Sequence, residues 1–93
     1  MSKFVVIITF NGRHKTELEI DPNYSIRSLM TQIFEKFNIP ESDRNYNKDK
    51  FSLTNAHALL NADQDWLNKT VKDAKIEEDD GIDLKDAGSV QWG

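Results

Sequence analysis

The chain has 93 residues, 38% of them hydrophobic and 30% charged, with a formal net charge of −4. That length holds one domain around one core, in which roughly 60–65% of the unfolded chain's surface can be buried. The lack of cysteine excludes disulfides, thiolate metal sites and thiol nucleophiles, and no lysine or arginine cluster is present to neutralise a row of phosphates, so nucleic acid is not an expected partner.

The first apolar run, Phe4 to Phe10, is too short for a membrane span, which needs roughly 18 residues. No small-residue cleavage site follows it, as a secretory signal would require. It predicts a buried strand over residues 3–10, and a cytoplasmic protein with no membrane partner. Phe4, Val6, Ile8 and Phe10 share one face, while Val5, Ile7 and Thr9 share the other, so the strand belongs inside a sheet covered at least partly on both faces. Asn11-Gly12 supplies the positive φ angles of a tight hairpin. From Lys15 the pattern alternates, with Thr16, Leu18 and Ile20 inward and Glu17, Glu19 and Asp21 outward, as in a half-solvated antiparallel partner.

Pro22 breaks that strand, and Ser25 is placed to cap a helix. Ile26, Leu29, Met30, Ile33, Phe34 and Phe37 recur at helical spacing and make one side apolar. Pro40 disfavours helical geometry at Ile39, which ends the helix near Asn38. Residues 41–50 are polar and aperiodic and read as a loop. Phe51 to Thr54 is a third strand with Phe51 and Leu53 inward, and Ala58-Leu59-Leu60 offers a brief fourth. Trp66 is expected to cover the edge of the core. Thr70 to Ile76 reads as one helical turn burying Val71 and Ile76, and Ile82-Asp83-Leu84 as the last strand.

The order strand, strand, helix, strand, short strand, helical turn, strand is that of an α+β β-grasp. In detail the chain resembles ubiquitin over residues 4–84. Glu19-Ile20-Asp21-Pro22 with Ser25-Ile26 is similar to ubiquitin's second strand and capped helix start. Asn38-Ile39-Pro40 resembles its Gly-Ile-Pro helix end, and Lys69 to Ile76 its Arg-Thr-Leu-Ser-Asp-Tyr-Asn-Ile segment. The resemblance implies a ubiquitin-like β-grasp, a mixed four- to five-stranded sheet packed on one main helix, over residues 1–85, with a flexible tail at 86–93. Several features differ. The 41–50 loop is longer, and Ser52 and Lys85 stand where ubiquitin has aliphatic receptor-binding residues. The last residues, Gln91-Trp92-Gly93, lack the usual Gly-Gly. In these respects the chain resembles the divergent ubiquitin-like modifiers of bacterial conjugation operons.

What that resemblance implies is a protein modifier, not an enzyme, without cofactors, joined to target proteins by an isopeptide bond. Gly93 would be adenylated and conjugated, with Trp92, Gln91 and Gly88 as tail recognition positions. The implied partners are activating and conjugating enzymes, a deconjugating peptidase and the targets. A glycine there suits the chemistry, because a backbone without Cβ can thread a narrow channel to a nucleophile. A non-covalent adaptor or assembly subunit of the same fold is the alternative, and self-association through a sheet edge stays open. His14 and His57 are far apart in sequence, and Glu77 to Gly81 lacks the ligand spacing of an EF-hand loop, so no metal site is expected.

Overall fold

A computed structural model describes residues 3–56, 58–62 and 64–87. The elements run β1 (Phe4–Phe10), β2 (His14–Ile20), α1 (Ile26–Lys36), β3 (Phe51–Asn55), β4 (Ala58–Leu59) and β5 (Gly81–Asp86), with short 3-10 segments at Glu41–Asp43 and Gln64–Asn68. The five strands form one mixed sheet in the order β2-β1-β5-β3-β4. β1 pairs antiparallel with β2 and parallel with β5, and β5 pairs antiparallel with β3. This is the α+β grasp expected from the order of the elements.

The apolar first strand lies between two others, as its two-faced pattern predicts. Val6, Ile8 and Phe10 are buried on the helix side. Val5, Ile7 and Thr9 are half-buried on the opposite face, across from Glu19, Glu17 and Lys15 of β2. At the hairpin, Asn11 and Gly12 have φ of 54° and 70°, and the Arg13 N–H donates to the Phe10 carbonyl at 3.0 Å. The β1–β2 register pairs Phe10 with His14.

α1 begins where Ser25 Oγ accepts from the Ser28 N–H at 3.0 Å, satisfying one of the donors a helix start leaves open. Ile26, Leu29, Met30, Ile33 and Phe34 are all fully buried against the sheet. The helix end has two interlocked bonds, Asn38 N–H to Glu35 O at 3.1 Å and Ile39 N–H to Phe34 O at 3.0 Å. This 5→2, 6→1 pair is the motif that needs a left-handed residue between helix and exit. Asn38 supplies it with φ of 56°. Asparagine tolerates that region less well than glycine. Asn38→Gly is therefore expected to raise stability by up to about 1 kcal/mol, read as a higher denaturation midpoint at unchanged slope.

The stretch at 41–50 is irregular apart from its 3-10 turn, yet it is not free of the core. Tyr46 packs edge-on against Phe34, with ring centroids 5.6 Å apart, and its hydroxyl lies 2.8 Å from Thr31 Oγ1. Trp66 is only 7% exposed and covers the core edge as predicted. The expected turn at 70–76 is present: Ala74 N–H donates to Thr70 O at 3.0 Å, and Thr70 and Asp73 cap one another through two side-chain to backbone bonds. Val71 and Ile76 are buried. The last strand runs two residues beyond Leu84, because Asp86 pairs with Phe51 and Lys85 with Ser52.

The two segments that carry most of the resemblance meet in space. Ser25 bridges to Thr70, Ile26 N–H donates to Lys69 O at 3.0 Å, and Val71 N–H to Tyr24 O at 2.8 Å. The helix start and the 69–76 turn thus satisfy each other's backbone. No helix among the described residues is long and apolar enough to cross a membrane.

Candidate functional site

The conjugation chemistry expected at Gly93, and the recognition roles of Trp92, Gln91 and Gly88, lie outside the described residues, as does His57. The structure does describe the residues that immediately precede them. On one side the Ala87 N–H donates to Lys50 O at 2.8 Å, next to β3. On the other, the hairpin turn reaches across: Asn11 N–H donates to Leu84 O at 2.8 Å, and the Asp86 N–H donates to Asn11 Oδ1 at 3.0 Å. Asn11 Nδ2 returns a long bond to Asp86 Oδ2 at 3.4 Å. A second tie links β5 to the same turn, where Asp83 Oδ1 accepts from the Thr9 hydroxyl and the Gly12 N–H. The positive φ of Asn11 and Gly12 aims these donors at β5. The turn residues that close the hairpin therefore also anchor the end of the last strand.

The face of the sheet opposite α1 is the surface beside this end of β5. Cross-strand pairing puts Ser52 next to Lys85 and Thr54 next to Asp83, and aligns Glu17 with Ile7 and Glu19 with Val5. The departure noted at Ser52 and Lys85 is thus one contiguous polar spot. Val5 and Ile7 contribute half-buried aliphatic carbon there, and Leu59, paired with Thr54 at the sheet edge, adds an exposed leucine. The spot at Ser52 and Lys85 itself suits hydrogen-bonding or charged contacts.

The acidic turn is structural as well as solvated. Glu77, Glu78 and Asp79 are exposed, whereas Asp80 Oδ2 accepts from the Glu77 N–H at 2.9 Å and from Asn55 Nδ2 at 3.2 Å. Among the described residues no group of three or more acidic or histidine side chains converges to hold a metal ion.

Sequence patterning misses a cleft of about 410 Å³ on the flank of α1, between the 41–50 loop and the 3-10 segment at Gln64–Asn68. Arg27, Tyr46, Lys48, Trp66 and Leu67 line it. The Arg27 guanidinium lies 4.7 Å above the Tyr46 ring, which in turn stacks on Trp66 at 6.3 Å between centroids. One signal was present in the sequence: Tyr46 is the lone aromatic in residues 41–50, an otherwise polar stretch.

No protein-family model and no curated protein sequence matches the chain. Solved structures do match its shape. The ubiquitin-like domain of an Arabidopsis thaliana protein superposes with a TM-score of 0.74 at 18% identity, covering 100% of this chain and 86% of that one. Caldiarchaeum subterraneum ubiquitin gives 0.69 at 18% identity over 99% of this chain and 100% of its own. A protein designed de novo on ubiquitin gives 0.69 at 14% identity, with 98% and 96% covered. At such identities the likeness establishes the fold, and the chain has the ubiquitin-like β-grasp.

Proposed function

We propose that this ubiquitin-like protein is a covalent protein modifier, activated by adenylation of Gly93 and transferred to amines on target proteins. The proposal keeps the likeness to the divergent modifiers of bacterial conjugation operons. Its partners are an activating enzyme, a conjugating enzyme and a deconjugating peptidase. The observation that supports it most is the anchored end of β5. β5 is tied on both flanks up to Asp86 and Ala87, and residues 88–93, Gly93 among them, follow it in the sequence. Those six residues can reach up to roughly 20 Å when extended, enough to enter an enzyme channel while the body stays outside.

In the reaction, the Gly93 carboxylate attacks the α-phosphate of ATP to give an acyl-adenylate and pyrophosphate. A cysteine thiolate of the activating enzyme then displaces AMP to form a thioester, and an amine finally displaces the thiol to leave an amide. The body supplies recognition and the tail supplies the acyl group. No side chain of the body is asked to do chemistry.

The test mixes the full chain with a candidate adenylating enzyme, chosen by proximity of its gene, and ATP. A thiol-sensitive conjugate of the two proteins is expected, and deletion of Gly93 should abolish it. Unchanged conjugate formation without Gly93 would refute the reading. Full cellular function of the truncated chain would instead support a non-covalent adaptor.

A further inference from the structure

The cleft beside α1 is a prearranged cationic and aromatic recess on an acidic protein. Tyr46 forms its floor and is fixed from several directions. Its ring packs against Phe34 and Trp66. Thr31 Oγ1 donates its proton to Arg27 O at 2.9 Å, so the Tyr46 hydroxyl is the donor in the 2.8 Å contact with Thr31. The Arg27 guanidinium lies over the same ring, 4.7 Å from its centroid. A guanidinium stacked on a ring keeps its in-plane N–H fork available and loses less freedom when it binds a carboxylate. Arg27 and Lys48 are both exposed. Among the described residues no carboxylate lines the cleft, although the chain carries 16 acidic residues against 12 basic ones. Asp49 and Asp65, each next in sequence to a lining residue, are exposed outside it, while Asp63, which follows the lining residue Ala62, lies outside the described residues. Leu67, 44% exposed, adds an apolar shelf beside the cations.

The geometry points to this cleft as a docking site for an acidic peptide segment of a partner protein. One carboxylate pairs bidentately with Arg27, a second acid meets Lys48, and an aliphatic side chain between them covers Leu67 and the rim of Trp66. Charge complementarity selects the partner class, since two cations with no carboxylate among the described lining residues attract acids, and the shelf selects a peptide over a bare anion. Two cations are too few for a nucleic-acid backbone. None of this involves the C-terminal residues, so it stands or falls separately from activation at Gly93.

The test titrates the isotopically labelled full chain with acetyl-Asp-Glu-Leu-Asp-Glu-amide and follows its amide and indole resonances. Shifts confined to residues near 27, 46–48 and 66–67 are expected, with the matched Asn/Gln peptide binding at least tenfold more weakly. Arg27→Gln and Lys48→Gln should each weaken binding about 2- to 5-fold, and Arg27→Lys should restore part of the loss. Unchanged thermal melting of these surface variants would separate lost contacts from lost fold.

Four results would overturn the proposal. The acidic peptide produces no localised shift at millimolar concentration. The neutral peptide binds as well. Inorganic phosphate alone binds as tightly, making this a simple anion site. Or the free chain self-associates in a way that Arg27→Gln abolishes, which would give the cleft to the exposed acidic turn of a second copy.

Discussion

Replacing Phe34 by alanine is expected to remove about 3–5 kcal/mol of stability. Phe34 is fully buried, and it is the hub between two parts of the molecule that sequence leaves unconnected. Its ring meets Phe51 of β3 edge-on, at 5.0 Å between centroids and 75° between planes. It meets Tyr46 of the long loop in the same way at 5.6 Å and 77°. Such aromatic pairs contribute roughly 0.5–1.5 kcal/mol each beyond burial alone. Truncation would leave a cavity and release both partners. A domain of this size carries roughly 5–14 kcal/mol in total, so Phe34→Ala should lower the melting temperature by about 15–30 °C. Phe34→Leu, which keeps most of the volume, should cost clearly less. Denaturant titration of both variants checks this, and a loss below about 1 kcal/mol for alanine would show that the loop and β3 do not depend on this contact.

Asn61 is the second position with a large expected effect, and its mechanism is different. It is the one polar residue found buried among the described residues, 2% exposed. Its side chain behaves as a piece of strand: Nδ2 donates to Phe51 O at 2.9 Å and Oδ1 accepts from the Leu53 N–H at 3.1 Å. β4 pairs with β3 only at Thr54 and Asn55. The amide therefore continues the pairing along β3 where the edge strand has stopped. Asn61→Ala would leave a buried carbonyl and a buried N–H unpaired, each costing roughly 1–3 kcal/mol. A total loss of about 2–6 kcal/mol is expected. Hydrogen exchange supplies a local readout, since the Leu53 amide should exchange much faster while the amides of β1 keep their relative protection. Unchanged protection at Leu53 would mean that water or a neighbouring group replaces the amide.

Both residues show why the sequence was legible in some places and silent in others. The α1 stripe was readable because helical periodicity is written within a dozen residues, and five of its six apolar positions are fully buried while Phe37 packs at the edge. The Ser25 cap, the Asn11-Gly12 turn and the inward faces of β1, β2, β3 and β5 were readable for the same local reason. Burial of Tyr46 was not, because one aromatic in a polar run has no period. Asn61 gave no sign at all, since an asparagine between Leu60 and Ala62 reads as part of a turn. The extension of β5 past Leu84 was hidden because Lys85 and Asp86 have polar side chains, and backbone pairing with β3 leaves no trace in their side-chain pattern.

At the candidate site the division is similar. The polar character of Ser52 and Lys85 could be inferred from the aligned motifs, but their position as cross-strand neighbours could not. The clamp between Asn11 and Asp86 joins residues 75 positions apart, and no local pattern announces such a bond.

Residue order alone was enough to establish the strands and helix, the side of each that faces inward, and through the aligned motifs the ubiquitin-like form. Those properties follow from short-range alternation, capping and turn chemistry. The insertion of β5 between β1 and β3, the amide that stands in for an edge strand, the anchored end of β5 beyond Leu84 and the Arg27–Tyr46–Trp66 cleft emerged only when distant segments packed together. Each depends on hydrogen bonds and ring contacts between residues whose separation along the chain carries no periodic signal.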